Sequence, residues 1–306
     1  MAPPLVDRPL GDLTDAEIAQ LTQSIKEEQA TQRPLLGSVE PLERLTDEYQ
    51  PGSTYRAKVE RLVADGWTGI RRSRGDGDCF YRAFIFSLLS TYLARPAALS
   101  AHLLSTFESL LPLLTACGFE ELVWSDFWEP LQDLLRRMGP EQAHGGARKD
   151  GEARLGPSDL FEAFNDQETN SCIIAFVRLL TSAYLRTHSD DFSPFLFALE
   201  DDPRFLAGGG APSMHEFCQN HVEAIAKEAD HLQIVALTRA LGTPIRIAYL
   251  DQSGIAGAGA GQASRDEADV AVNFVEFEED RAKEEGIVSV EGALLYRPGH
   301  YDILSR

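Results

Sequence analysis

Apolar residues recur at helical spacing through most of this chain, and near its end the spacing switches to strict alternation. The first signal follows a proline-rich start. Thr14-Asp-Ala-Glu17 has the form of a capping box, in which a threonine hydroxyl and a glutamate carboxylate satisfy backbone N–H groups reciprocally. Ile18, Leu21 and Ile25 follow on one narrow face, so the spacing predicts an amphipathic helix, packed on its own domain or docked as an arm on a partner. Pro34 to Pro41 reads as a break. From Leu42 onward helical patterns dominate: Leu42, Leu45 and Tyr49, then Tyr55, Val59 and Leu62. Residues 79–92 read as a buried helix, 100–116 and 120–138 as further helices, and 139–158, rich in glycine and charge, as a surface loop. In 171–186, Ile173, Val177, Leu180 and Tyr184 share one helical face. Ser213 is placed to cap a helix over 214–231, and Leu232 to Leu241 reads as another short one.

After Gly242 the pattern changes. PIRIAYL (244–250) alternates with period two, VAVNFVEF (270–277) does the same, and ALLYR (293–297) is turned by Pro298-Gly299 into HYDIL. A glycine- and alanine-rich stretch at 254–264 and an acidic one at 278–286 separate these strands. Many helices followed by a few strands predict an α+β fold, mostly helical with a small late β-sheet. One domain is expected over 42–306, preceded by an N-terminal extension over 1–41 that carries the amphipathic helix.

Bulk properties narrow the partners. The 306 residues suffice to bury a sizeable core. The net charge of −20 argues against general nucleic-acid binding, which needs a basic face, and suits a partner with a basic surface. Four cysteines, at 79, 117, 172 and 218, have no CxxC pairing and are too few for a disulfide scaffold, so they read as reduced thiols in the cytoplasm or nucleus. MAPPLVDRPL has no secretory-signal pattern, and the apolar run 171–186 carries Arg178 and Arg186, so no membrane partner is expected.

Candidate chemistry begins at GDGDCFYRAF, residues 75–84. A glycine-rich loop ends at an apolar helix, and Cys79 opens that helix. The positive end of a helix dipole favours a thiolate, and the glycines let backbone amides turn inward as an oxyanion hole requires. Arg71, Arg72 and Arg74 lie just upstream as sources of positive potential. This context alone leaves two readings, a nucleophile or a buried structural thiol. Cys117, Cys172 and Cys218 lie within helical patterns with no glycine loop before them and read as structural. His300 precedes Asp302 by two residues, and in a strand those positions face the same way. A carboxylate can then orient one ring nitrogen while the other faces outward, although a plain turn histidine fits the spacing equally well. Asp78 is expected at the N-cap, and Asp76 is expected to hold the loop shape. His215, Cys218 and His221 form HxxCxxH, which is not a standard zinc spacing, and Phe80 and Tyr81 break the calcium-loop pattern that Asp76 and Asp78 begin.

Taken together, these motifs resemble one family. GDGDCFYRAF is similar to the nucleophile motif of OTU-type cysteine proteases, and LLYRPGHYDIL to the histidine motif of its otubain branch. FNDQ (164–167), VRLLTSAYLR (177–186), EFC (216–218) and EADHLQIVALTRAL (228–241) are otubain-like and in otubain order, so the resemblance spans roughly 45–306. It implies a papain-like OTU fold and a deubiquitinase that hydrolyses the isopeptide bond between a ubiquitin C-terminus and a lysine. By position it implies Cys79 as nucleophile, His300 as general base, Asp302 as its orienting residue and Asp76 as the active-site loop aspartate. It implies ubiquitin and polyubiquitin chains as partners, ubiquitin-conjugating enzymes as further ones, and no cofactor. The alternative is a non-catalytic inhibitor of conjugating enzymes that uses the N-terminal helix. Two features depart from the pattern: Asp78 replaces the usual asparagine and adds negative charge beside the thiol, and the 252–290 connection is longer.

Overall fold

A computed structural model describes residues 33–140, 153–197, 212–251, 271–277 and 288–306. The helix expected after Thr14 and the stretches 254–264 and 278–286 lie outside these residues. The elements, in chain order, are β1 (Leu36–Pro41), a 3₁₀ turn (Leu42–Glu48), α1 (Thr54–Ala64), β2 (Gly69–Ser73), α2 (Cys79–Leu93), α3 (Ala97–Ala116), α4 (Glu121–Met138), α5 (Pro157–Asn165), α6 (Gln167–Thr187), α7 (Ser189–Phe197), α8 (Met214–Phe217), α9 (His231–Leu241), β3 (Ile245–Tyr249), β4 (Asn273–Phe277), β5 (Ala293–Arg297) and β6 (His300–Ser305).

The strands form one sheet in the order β1-β2-β6-β5-β3-β4, antiparallel except for the parallel β3–β5 pair. The α+β layout is as expected, with one correction. The sheet is not built only from late strands, and 36–41 does not belong to an extension: β1 pairs with β2, and β2 pairs with β6. Proline is tolerated at the end of β1 because β1 is an edge strand. Leu36 is fully buried, and its amide donates to Asn165 Oδ1 at 3.0 Å. Gly69 admits the close strand approach, since a Cβ there would lie 2.5 Å from Ser305 Oγ and 2.9 Å from Val39 Cγ1.

Each face of the sheet is covered. Leu42, Leu45, Val59 and Leu62, from the 3₁₀ turn and α1, pack with Ile70, Leu295 and Leu304 on one face. The helical layer covers the other, with α2 buried on nearly every side. Phe80 of α2 meets Tyr301 of β6 edge to face, with ring centroids 5.4 Å apart. That contact sets the start of α2 against the start of β6. One described helix, α3, is long and apolar enough to cross a membrane by composition. It packs through Phe107 against Trp128 of α4 and Phe176 of α6.

The expected helix over 214–231 is also corrected. Ser213 caps α8 as foreseen, accepting from Glu216 N at 3.2 Å while its own amide donates to Glu216 Oε2 at 2.9 Å. Helical structure then passes through a π turn at Cys218–Val222 and stops. Ala226 adopts φ 60°, and the carbonyls of Val222 and Lys227 accept from Arg178.

Candidate active site

The loop 74–78 delivers Cys79 to the first position of α2, where the thiol is buried. Gly77 has φ +84°, a conformation that L side chains rarely adopt. The Asp78 carbonyl accepts from Arg82 N at 3.0 Å, the first bond of the helix. In a trans peptide the N–H lies opposite the carbonyl, so the Cys79 amide points back out of the helix N-terminus.

Asp76 holds the loop, as expected. Its Oδ1 accepts from Asp78 N at 3.1 Å, and its carboxylate takes Arg82 Nη2 at 2.7 Å and Arg82 Nη1 at 3.1 Å. Arg82 is itself buried and bonds also to the Arg74 carbonyl and Asn170 Oδ1. Asp78 occupies the N-cap position, but its side chain makes no capping bond. Its Oδ1 instead accepts from Arg178 Nε at 2.9 Å, from Arg178 Nη2, and from Ala226 N at 3.3 Å. The charge expected to burden the thiol is therefore balanced by a fully buried guanidinium. The expected role of Arg71, Arg72 and Arg74 is not what the structure shows. Arg72 pairs with Glu40 and Glu48, Arg71 bonds to Gly37 O, and Arg74 bonds to Arg33 O. The arginines that bond the acidic loop side chains are Arg82 and Arg178. The visible signal for them was an arginine inside an otherwise apolar helical run.

Gly299, at φ +74°, turns the β5–β6 hairpin and sets His300 at the first position of β6. His300 Nε2 lies 2.8 Å from Asp302 Oδ1, as the two-residue spacing implied. Asp302 is completely buried, and its Oδ1 also accepts from Ser73 N at 3.0 Å. Arg297 Nη2 reaches Asp302 Oδ2 at 2.6 Å, and Arg297 Nη1 reaches Glu48 Oε2 at 2.9 Å. The other ring nitrogen of His300, Nδ1, is buried without a hydrogen bond of ordinary geometry among the described residues. Its ring nevertheless interacts with the Cys79 sulfur, and Gly75 leaves it room, since a Cβ there would stand 3.4 Å from Nδ1.

The electrostatics follow from these contacts. Burial opposes the charged imidazole, but Asp302 and then Cys79 outweigh it and push the His300 pKa up to about 9. Burial likewise opposes the Asp302 carboxylate, but His300, Arg297 and the Ser73 amide outweigh it and hold Asp302 below its ordinary value. Burial raises the thiols of Cys117 and Cys172 and pushes Cys218 up to about 12. Among the described residues, His215, Cys218 and His221 do not form a group able to hold a metal ion. Cys218 is buried, and His221 stacks on Phe217. A sulfur, an imidazole, a buried carboxylate and an outward-facing amide can together carry out nucleophilic acyl transfer.

Known proteins resemble this chain over nearly its whole length. A sequence model of the family described as Peptidase C65 Otubain matches residues 28–306. An ovarian tumor domain-containing deubiquitinating enzyme 1 from Arabidopsis thaliana is 33% identical over 289 residues, covering 92% of this chain and 84% of that protein. Ubiquitin thioesterase OTUB1 from Homo sapiens is 32% identical over 291 residues, covering 95% of this chain and 90% of that protein. A solved complex of h/ceOTUB1 with ubiquitin aldehyde and UBCH5B~Ub superimposes with a TM-score of 0.69 at 27% identity, covering 95% of this chain and 97% of that one. The match extends through both end motifs and the sheet that joins them, and the chain belongs to the otubain family of peptidases.

Proposed function

We propose that this protein is a thiol-dependent deubiquitinase that hydrolyses isopeptide bonds in ubiquitin chains or conjugates, with Cys79 as nucleophile, His300 as base and acid, and Asp302 as the group that orients His300. The carrying observation is the His300 Nε2–Asp302 Oδ1 bond of 2.8 Å, on a ring that interacts with a cysteine at a helix N-terminus. With a pKa of about 9, His300 holds a proton at neutral pH. The Cys79 thiolate attacks the carbonyl carbon of ubiquitin's terminal glycine, and the carbonyl electron pair moves onto oxygen. The Cys79 amide, at the positive end of α2, faces that developing charge, and Asp76 keeps the loop in shape. The tetrahedral centre collapses, the C–N bond breaks, and His300 gives its proton to the leaving lysine amine. A water then loses a proton to His300 and attacks the thioester. Collapse releases the Cys79 thiolate and the glycine carboxylic acid, which gives its proton to solvent.

Ubiquitin is the substrate partner. A second partner class is favoured by the solved relatives, which are OTUB1 complexes with ubiquitin aldehyde and UBCH5B~Ub or UBC13~Ub. We infer from them that this chain also binds ubiquitin-conjugating enzymes, a role that coexists with catalysis. The reduced state of its thiols supports work in the cytoplasm or nucleus.

The test is incubation with a ubiquitin probe carrying a thiol-reactive C-terminal electrophile, followed by peptide mapping. Cys79 is expected to carry the adduct and Cys79→Ser to abolish chain cleavage. An adduct at Cys117, Cys172 or Cys218 with Cys79 untouched would sink the assignment.

A further inference from the structure

Among the described residues the mechanism leaves two fully buried cations unused, Lys58 and Arg178, and Arg178 is the one that bonds the nucleophile loop. Arg178 lies in the middle of α6 with no exposed side-chain surface. Besides Asp78, its guanidinium donates to Val222 O from Nη1 at 3.0 Å, and from Nη2 to Gly77 O at 3.0 Å and Lys227 O at 2.6 Å. Its plane also lies over the Tyr81 ring, 4.4 Å from the centroid. An ion pair alone would need only the carboxylate. Here three backbone carbonyls, one at the end of the π turn and two in irregular chain, accept from the same group.

Two of its contacts bear on the reacting centre. The peptide between Gly77 and Asp78 is held at both ends: its carbonyl by Arg178, and its N–H by Asp76 Oδ1 at 3.1 Å. Glycine permits a peptide flip at low cost, so without a restraint on its carbonyl this unit is the weak point of the loop. The segment 222–228, tied by the same guanidinium, touches both halves of the site. A Cβ on Gly77 would stand 2.2 Å from Ala226 O, and a Cβ on Gly299 would stand 3.1 Å from Glu228 Oε1.

We propose that Arg178 is a positioning residue for the reaction. It locks the Gly77–Asp78 peptide against flipping and clamps 222–228 across the nucleophile loop and the histidine turn. It touches no reacting atom. Its effect is on the direction of the amides that lead into Cys79, and so on transition-state charge rather than on substrate binding. The inference rests on the cysteine-protease reading above.

The test compares Arg178→Met, Asp78→Asn and the double variant in the full-length protein. Readouts are kcat and KM for ubiquitin-chain cleavage, alkylation of Cys79 by iodoacetamide, and near-UV circular dichroism. Alkylation forms no oxyanion, so it reports thiol access and reactivity alone. Arg178→Met is expected to lower kcat about 100-fold, the scale of losing an oxyanion donor, with KM and alkylation within about 3-fold of wild type. Asp78→Asn should cost less than about 10-fold, because an amide still accepts from the guanidinium. The double variant should stay as slow as Arg178→Met. Recovery of the double variant to the level of Asp78→Asn would make Arg178 a mere counter-ion and overturn the proposal, as would wild-type kcat in Arg178→Met. If Arg178→Met fails to fold, Arg178→Lys decides: a compact ammonium cannot serve the same spread of acceptors, so a native spectrum with kcat at least about 10-fold lower is expected. Wild-type kcat or loss of the native spectrum in that variant overturns the proposal. Cys79→Ala, run alongside, separates the two failures, since activity there would overturn the protease reading itself.

Discussion

His300 and Asp302 show how two side chains set each other's charge. The imidazole is raised to about 9 from an ordinary 6.5, so its stabilising contribution is complete below about pH 6.5. Above that, the unfolded ring loses its proton while the folded ring keeps it, so stability falls as pH rises to about 9. Asp302 is held below its ordinary 3.8, so its contribution is complete above that value and is lost as pH falls further. Urea unfolding between pH 6 and 10 should show a loss on the order of 3 kcal/mol in the wild type and a flatter profile in His300→Gln. An identical slope in both would place the titration elsewhere. In catalysis the two positions should differ. His300→Ala should end turnover, whereas Asp302→Asn should leave an imidazole in a poorer tautomer, with kcat lower by about 10²- to 10⁴-fold. A fully active Asp302→Asn would leave Ser73, Arg297 and the fold as the only users of that carboxylate.

At the scale of elements, the proposed catalysis depends on where two N-terminal ends meet. α2 and β6 begin at Cys79 and His300, and the Phe80–Tyr301 contact one residue further along holds those beginnings together. The loop that enters α2 is equally constrained. Gly77 combines φ +84° with backbone packed 2.2 Å from where its Cβ would be. Gly77→Ala must therefore displace either the loop or the 226 segment, and both adjoin the site. Chain cleavage should fall by at least about 100-fold, comparable to losing an oxyanion donor, while the far-UV spectrum stays that of the native helices. Wild-type cleavage by Gly77→Ala would show that the loop tolerates a different backbone path. Periodicity reported α2, α3, α4, α6 and the strands β3 and β5 closely, because each carries a long or regular apolar pattern. It missed β1 and β2, which are short and contain Pro41 and Gly69, and whose pairing comes from residues far away in sequence. It overran α8, because 218–230 has helical composition while its carbonyls are claimed by Arg178.

For the whole molecule, the position of β1 changes where the domain begins. Reading 1–41 as an extension would license its removal, yet Leu36 is fully buried and Pro41, Glu40 and Val39 pair with β2. Deleting residues 1–30 should leave the fold and probe labelling of Cys79 intact, and should weaken binding of ubiquitin or a conjugating enzyme if the Thr14 helix is a docking arm. Deleting 1–41 strips the sheet edge and the Leu36 anchor, and should lower the thermal midpoint by at least several degrees or prevent folding. Equal stability of the two truncations would show that β1 is dispensable. Unchanged affinities after the shorter deletion would leave the arm without a docking role. The sequence by itself determined the helical body, the strand-rich end, the helix that opens at Cys79 and the His300–Asp302 pair, because each is written in local spacing or in a short motif. Tertiary structure alone decided that two early strands complete the sheet, that Asp78 neutralises Arg178 instead of capping α2, and that Arg297 and Ser73 hold Asp302. Those facts join residues as far apart as Gly69 and Ser305, and no local pattern encodes which distant partner a strand or a buried charge will find.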